Sequence, residues 1–316
     1  MPRMTRRALL GCLAAGPAFA WQPAGLVTLL IPFAAGGATD RLGQLIAPAL
    51  SRQLGVPVTT ENLVGQAGQR AIRALAAAPP DGQTLVIGNL GLFAFNPHLF
   101  PQLAYDPLAD LAPVGLIGTS PMLLLASPQS GITDVASLRR AAQGHLTIGS
   151  AGRGSTLHMG GAMLMRALGD GGELVPYASG APALEDLQAG LLDIMVDQAI
   201  TAIPATHLGV RAIAVLGPQR LPELATVPTA AEIGLAMPEL AIWNMLAARA
   251  DTPAPIIQAL AEALEAALGD EMVGRRLATD SVIPPEGAER GPVAAAALIR
   301  AEHARWGSHI RAARLD

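Results

Sequence analysis

The sequence predicts an α/β protein of two lobes, and three observations carry that expectation. Short apolar runs suited to buried strands alternate with amphipathic helical runs from end to end, which argues for parallel sheets with helices on both faces. The chain has 316 residues, and the 296 that follow a candidate export signal reach the upper limit of single cores, which seldom grow beyond roughly 250 to 300 residues. No low-complexity linker and no internal repeat interrupts the alternation. Two lobes are then joined by crossing segments, with hinge candidates near residues 118–127 and 240–248.

In chain order, Arg3, Arg6 and Arg7 precede the apolar residues 8–15, and Ala18-Phe19-Ala20 forms a small-x-small cleavage site. Residues 1–20 read as a signal peptide, and periplasmic export follows. Thr5-Arg6-Arg7 also suits a twin-arginine signal, so both the unfolded (Sec) and the folded export route stay open. Strand candidates are residues 26–31, 56–60, 84–88, 113–117, 122–127, 146–150, 174–177, 194–196, 212–216 and 241–247. Helix candidates are residues 41–54, 69–77, 134–142, 155–168, 182–189, 255–268, 271–279 and 292–312. Pro253, Pro255 and Pro292 stand where first helical turns accept proline. These assign residues 21–120 with 246–316 to lobe one and 121–245 to lobe two.

Composition narrows the chemistry. Cys12 is the only cysteine and falls in the signal, so the mature chain has no thiol for a disulfide, a metal or catalysis. Lysine is absent, which removes Schiff-base and P-loop chemistry. Loss of the signal leaves 18 basic against 25 acidic side chains, a formal charge of −7, so nucleic acid is not an expected partner. Aromatic residues make up 3% of the chain, and the core is therefore built on Ala, Leu, Val and Ile. No later apolar run approaches the roughly 18 residues of a membrane span.

Two glycine-rich turns stand out. The first, Ile31-Pro32-Phe33-Ala34-Ala35-Gly36-Gly37-Ala38-Thr39-Asp40, lies between a strand candidate and a helix candidate. Its glycines let the backbone approach a ligand, Thr39 and Asp40 suit helix capping, and free N–H groups at the helix start attract an anion. The second, Ser150-Ala151-Gly152-Arg153-Gly154-Ser155, repeats the arrangement ahead of Thr156 and His158. Facing each other across a cleft, the two would grip an acid from both sides, with Arg153 available for a bidentate contact. Tyr177 sits beside a helix start and is placed to close over a ligand, and Asp197, at a strand end, to read an amino group or hydroxyl or to cap the next helix. Ser155 and His158 share a helix face, which keeps an exported serine hydrolase as a rival, although G-x-S-x-G is missing and capping accounts for the serine. The six histidines never adopt HExxH spacing, and neither turn matches a dinucleotide or P-loop fingerprint. No metal and no cofactor is expected.

Many short stretches in a fixed order carry a resemblance across the mature chain. They include residues 31–40, Glu61-Asn62, Asp81-Gly82-Gln83-Thr84-Leu85, Asn96-Pro97-His98-Leu99, Tyr105-Asp106-Pro107, Ser150-Ala151-Gly152 with Gly154-Ser155 and His158, Val175-Pro176-Tyr177, Asp186-Leu187, Val227-Pro228-Thr229 and Trp243. This series resembles the Bug family, the extracytoplasmic solute receptors of tripartite tricarboxylate transport systems. The resemblance implies a two-lobed periplasmic-binding-protein fold, type II-like, a flytrap with its ligand cleft between the lobes. It implies a non-catalytic monomer that closes on a small carboxylate and delivers it to membrane permease subunits; a sensory partner of a receptor kinase is the alternative. The family's carboxylate-holding turns correspond to Phe33, Ala34, Ala35, Gly36, Gly37, Thr39 and Asp40, and to Ser150, Ala151, Gly152, Arg153, Gly154 and Ser155. His158, Tyr177 and Asp197 complete the expected site. Three departures bear on the ligand. The usual Arg-Pro-Gly-Ala-Gly-Gly is here Leu63-Val64-Gly65-Gln66-Ala67-Gly68, the usual Lys or Arg after Pro-Tyr is Ala178, and Arg153 stands where a small residue is common. Positive charge has moved across the cleft.

Overall fold

The computed structural model describes residues 21–313, with side chains to Arg311. The signal segment, with its arginines, Cys12 and the cleavage site, lies outside the described residues. Nine strands form one continuous mixed sheet: β1 (Val27–Ile31), β2 (Val58–Asn62), β3 (Thr84–Asn89), β4 (Leu111–Ala126), β5 (Leu146–Ser150), β6 (Gly172–Pro176), β7 (Ile194–Gln198), β8 (Arg211–Val215) and β9 (Ala241–Arg249). Their order is β2-β1-β3-β9-β4-β7-β5-β6, and β8 also pairs with β4.

The expectation of parallel sheets is corrected here. Each half has a parallel set, β2-β1-β3 and β6-β5-β7, but β3–β9, β9–β4, β4–β7 and β4–β8 are antiparallel. The reason is β4, which pairs with β9 through Pro121 and with β7 from Met122 on, and so passes from one half into the other. The sequence offers it as two strand candidates, 113–117 and 122–127, because Gly118 and Pro121 interrupt the apolar run. Pro121, which has no N–H to donate, sits at the final β9 pair where the strand changes partner.

Helices α1 (Ala38–Leu54), α2 (Gln69–Ala77), α4 (Val135–Ala141), α5 (Thr156–Ala167), α6 (Gly180–Ala189), α8 (Ala254–Leu268), α9 (Glu271–Thr279) and α10 (Gly291–Ala313) agree with the periodic segments. Two more were not legible. A π-helical turn at Gly91–Phe95 runs into α3 (Asn96–Leu99), and α7 (Ala199–Thr206) follows β7 directly. In α7 nearly every side chain is buried, so no polar face marks its period, and Pro204 inside it reads as a breaker. The largest core unites both halves, and in it the fully buried Trp306 of α10 meets Phe95 edge-on at 5.0 Å. Among the described residues no helix is long and apolar enough to cross a membrane.

Candidate ligand-binding site

The first turn is fixed from beneath. Gly36 takes a left-handed φ of +82°, and Gly37, extended, is the N-cap of α1. The capping expected of Thr39 and Asp40 does not occur: no side chain caps α1. Asp40 instead turns back, one carboxylate oxygen accepting from Gly36 N and the other from Asn62 Nδ2, each at 2.9 Å. Asn62 also donates to Phe33 O. With its side chain pulled out of the helix end, Asp40 leaves the first N–H groups of α1 free for an anion. Thr39 donates to Asn244 Oδ1 at 3.0 Å, which ties the turn to β9.

The second turn uses Gly152 and Gly154, both left-handed, and Ser155 as N-cap of α5, its Oγ accepting from His158 N at 3.1 Å. The His158 ring lies 3.4 Å from Ser150 Oγ, and burial, reinforced by the Arg153 charge, lowers its pKa. Both effects disfavour a charged imidazole under the turn. The Ser155 hydroxyl is thus occupied by a cap, and the ring of His158 faces a different serine.

The structure brings the two turns together, because Phe33, Ala151 and Ser155 line two adjoining cavities. The inner one, about 30 Å³, has room for only a few polar atoms. Gly37, Ser155, Ser179 and Gln198, which line it, are the N-cap residues of α1, α5, α6 and α7. Four helix N-termini therefore converge there, each equivalent to about half a positive charge. Within it, Thr156 Oγ1, Ser179 Oγ and Gln198 Oε1 are buried without a partner. Asp197 is 2% exposed, accepting from Gln198 N and Thr201 Oγ1 at 2.8 Å. Burial pushes its pKa up to about 6.

The outer cavity, about 310 Å³, is walled by residues 64–68 and 151–155 with Tyr177 and Ala178. Arg153 is the one charged residue in its wall; the guanidinium donates to Leu99 O at 3.4 Å and lies 5.8 Å from the centre of the Phe100 ring, across the cleft. The Tyr177 hydroxyl turns away and donates to Asp186 at 2.6 Å, so only its ring borders the cavity. Opposite it, Gln66 and Ala67 both hold left-handed φ, 52° and 54°. That conformation costs a non-glycine residue about 1–2 kcal/mol.

Of the expected residues, Phe33, Gly37, Thr39, Ala151, Gly152, Arg153, Gly154, Ser155, Tyr177 and Asp197 line one cavity or both. Ala34, Ala35, Gly36, Asp40, Ser150 and His158 shape the turns without reaching either wall. Sequence reasoning missed Asn89, Thr156, Ser179, Gln198 and Thr201. Ser179 had a signal, a serine directly before a helical run, but nothing in the sequence told a capping serine from a free one. Among the described residues no group of His, Cys, Asp and Glu could hold a metal ion.

Residues 43–315 match the family described as the tripartite tricarboxylate transporter family receptor. A UPF0065 protein from the TAR-I ttuE-ttuC' intergenic region of Agrobacterium vitis is 39% identical over 83% of this chain and 77% of its own length. MatC from Rhodopseudomonas palustris with bound malate superposes with a TM-score of 0.87 at 36% identity, covering 90% of this chain and 99% of that one. A second R. palustris protein, Rpa4515 with adipate, gives a TM-score of 0.87 at 33% identity over 92% and 98% of the two chains.

Proposed function

This chain belongs to the tripartite tricarboxylate transporter receptor family, and from that premise we propose that it captures a small organic carboxylate outside the cytoplasm and delivers it to a membrane permease. The observation that carries the reading is the convergence of four helix N-termini on one cavity between the two glycine turns. A carboxylate seated there meets free backbone N–H groups and the unpartnered hydroxyls of Thr156 and Ser179. Hydrogen bonds to a charged group contribute roughly 1.5–3 kcal/mol each. The remainder of the acid extends into the outer cavity, where Arg153 takes a second carboxylate. Malate and adipate, bound by the two neighbours, fit this division into two ends.

Capture works by hinge closure. Residues 21–120 with 246–316 form one lobe and residues 121–245 the other, with β4 and β9 as the crossing strands. Contacts that join the two lobes, such as Arg41 Nη1 to Ile200 O at 3.4 Å and Arg153 to Leu99 O, favour the closed state once ligand bridges them. The signal at residues 1–20 delivers the chain to the periplasm, where it acts as a monomer.

A thermal-shift panel of mono-, di- and tricarboxylates, including malate and adipate, on the mature protein tests the reading. Saturation at 100 times the dissociation constant adds about 2.7 kcal/mol of stability, a shift of several degrees. Failure of every carboxylate to raise the melting temperature overturns it.

A further inference from the structure

A further cavity, about 440 Å³, lies along the crossing strands. Its floor is Thr119 of β4 and Trp243 of β9, which pair in register. Trp243 precedes Asn244, the partner of Thr39 at the ligand turn, and neighbouring strand residues point to opposite faces. The groove therefore backs directly onto the strands that carry the hinge. One wall, Pro218 and Glu239, comes from segments that flank β8 and β9; the other comes from α10 and the turn before it. A change in hinge angle alters the width between these walls.

Three features mark the groove as a place for a partner. The indole Nε1 of Trp243, in a side chain 4% exposed, has no hydrogen-bond partner. Its lining is largely apolar, with Leu116, Leu240, Ala294, Ala297 and Leu298 around the indole. The charge is one-sided: Arg305 is engaged by Glu302 and by the carbonyl of Glu239, while the carboxylates of Glu239 and Glu289 meet no cation among the described residues.

We propose that this groove docks a basic and apolar segment of the membrane partner, a loop with arginine or lysine beside leucine-sized side chains. Its cations pair with Glu239 and Glu289, and its apolar side chain fills the space beside Trp243. Because the walls span the hinge, docking senses whether the cleft is closed; this rests on the receptor reading above.

Fluorescence anisotropy with a fluorescein-labelled peptide of alternating arginine and leucine, and a glutamate–leucine counterpart, tests the docking at low salt on the mature protein. The arginine peptide is expected to bind and the glutamate peptide not. The double variant Glu239→Lys/Glu289→Lys should weaken binding at least 10-fold while leaving the carboxylate thermal shift intact, which also reports that it folds; Glu185→Lys on α6 should change nothing. A benzophenone-bearing peptide should crosslink to the Ala297 face of α10. Equal binding of both peptides, indifference to the double charge reversal, or crosslinks that map elsewhere or join two copies of this chain overturns the docking site. A carboxylate shift without peptide binding removes the groove proposal alone, whereas absence of any carboxylate shift removes the receptor reading.

Discussion

Asp197 is a buried carboxylate without a cation in hydrogen-bond contact, and its energetics follow from that. Burial raises its folded-state pKa to about 6 from an ordinary value near 3.8, so the ionised form is penalised in the folded protein. The associated stability is fully present below the unfolded pKa and is lost as pH rises through the folded one, roughly 3 kcal/mol between about pH 4 and 6. Asp197→Asn removes this titration. Denaturant unfolding should show the variant gaining on the wild type as pH rises from 4 to 7.5, and a difference independent of pH would contradict the account. At the cleft mouth, Ala67 stands where the family pattern has glycine and keeps the left-handed backbone at its own cost.

Helix caps separate structural serines from ligand-facing ones. Ser155 and Ser179 occupy the same N-cap position in α5 and α6, yet only Ser155 accepts a backbone N–H. Ser155→Ala should therefore cost about 1 kcal/mol of stability. Ser179→Ala should leave stability within about 0.5 kcal/mol but weaken carboxylate binding up to roughly 10-fold, since its hydroxyl is buried and unpartnered until an anion arrives. Calorimetric titration beside thermal melts distinguishes them; equal losses of stability would show that Ser179 is an ordinary cap. The elements themselves were readable to different degrees. α2 and α9 have the bounds that their apolar period implies, because each buries one face, and β5 does because its short apolar run is buried on both faces. α7 and the turn at Gly91–Phe95 were invisible because burial on all sides erases periodicity.

Closure belongs to the whole molecule, and Gly154 is its tightest point. A Cβ there would come within 2.5 Å of Asn96 Oδ1, 2.6 Å of Phe100 Cε2 and 3.0 Å of Ala67 Cβ, all across the cleft, and φ is +88°. Gly154→Ala should cost about 1–2 kcal/mol in backbone strain and, beyond that, lower ligand affinity at least 10-fold by holding the lobes apart. Small-angle scattering should show the wild type contracting with ligand and the variant remaining extended. Contraction of the variant to the same radius would mean that the second turn does not set the closed position.

The sequence by itself determined the α/β class, the export signal as an expectation, the two glycine turns and the exclusion of thiol and lysine chemistry, because composition and short-range period are local properties. It also offered hinge candidates, which are runs of contiguous residues, as an expectation. Only the tertiary structure decided that β4 is one strand crossing both halves, that Asp40 turns away from its helix, and that α6 and α7 aim their N-termini at the same cavity as α1 and α5. Ser179, Gln198 and Thr156 acquire meaning there because burial without a partner depends on residues distant in the chain. A hydroxyl's hydrogen-bond account closes only when every neighbour is in place.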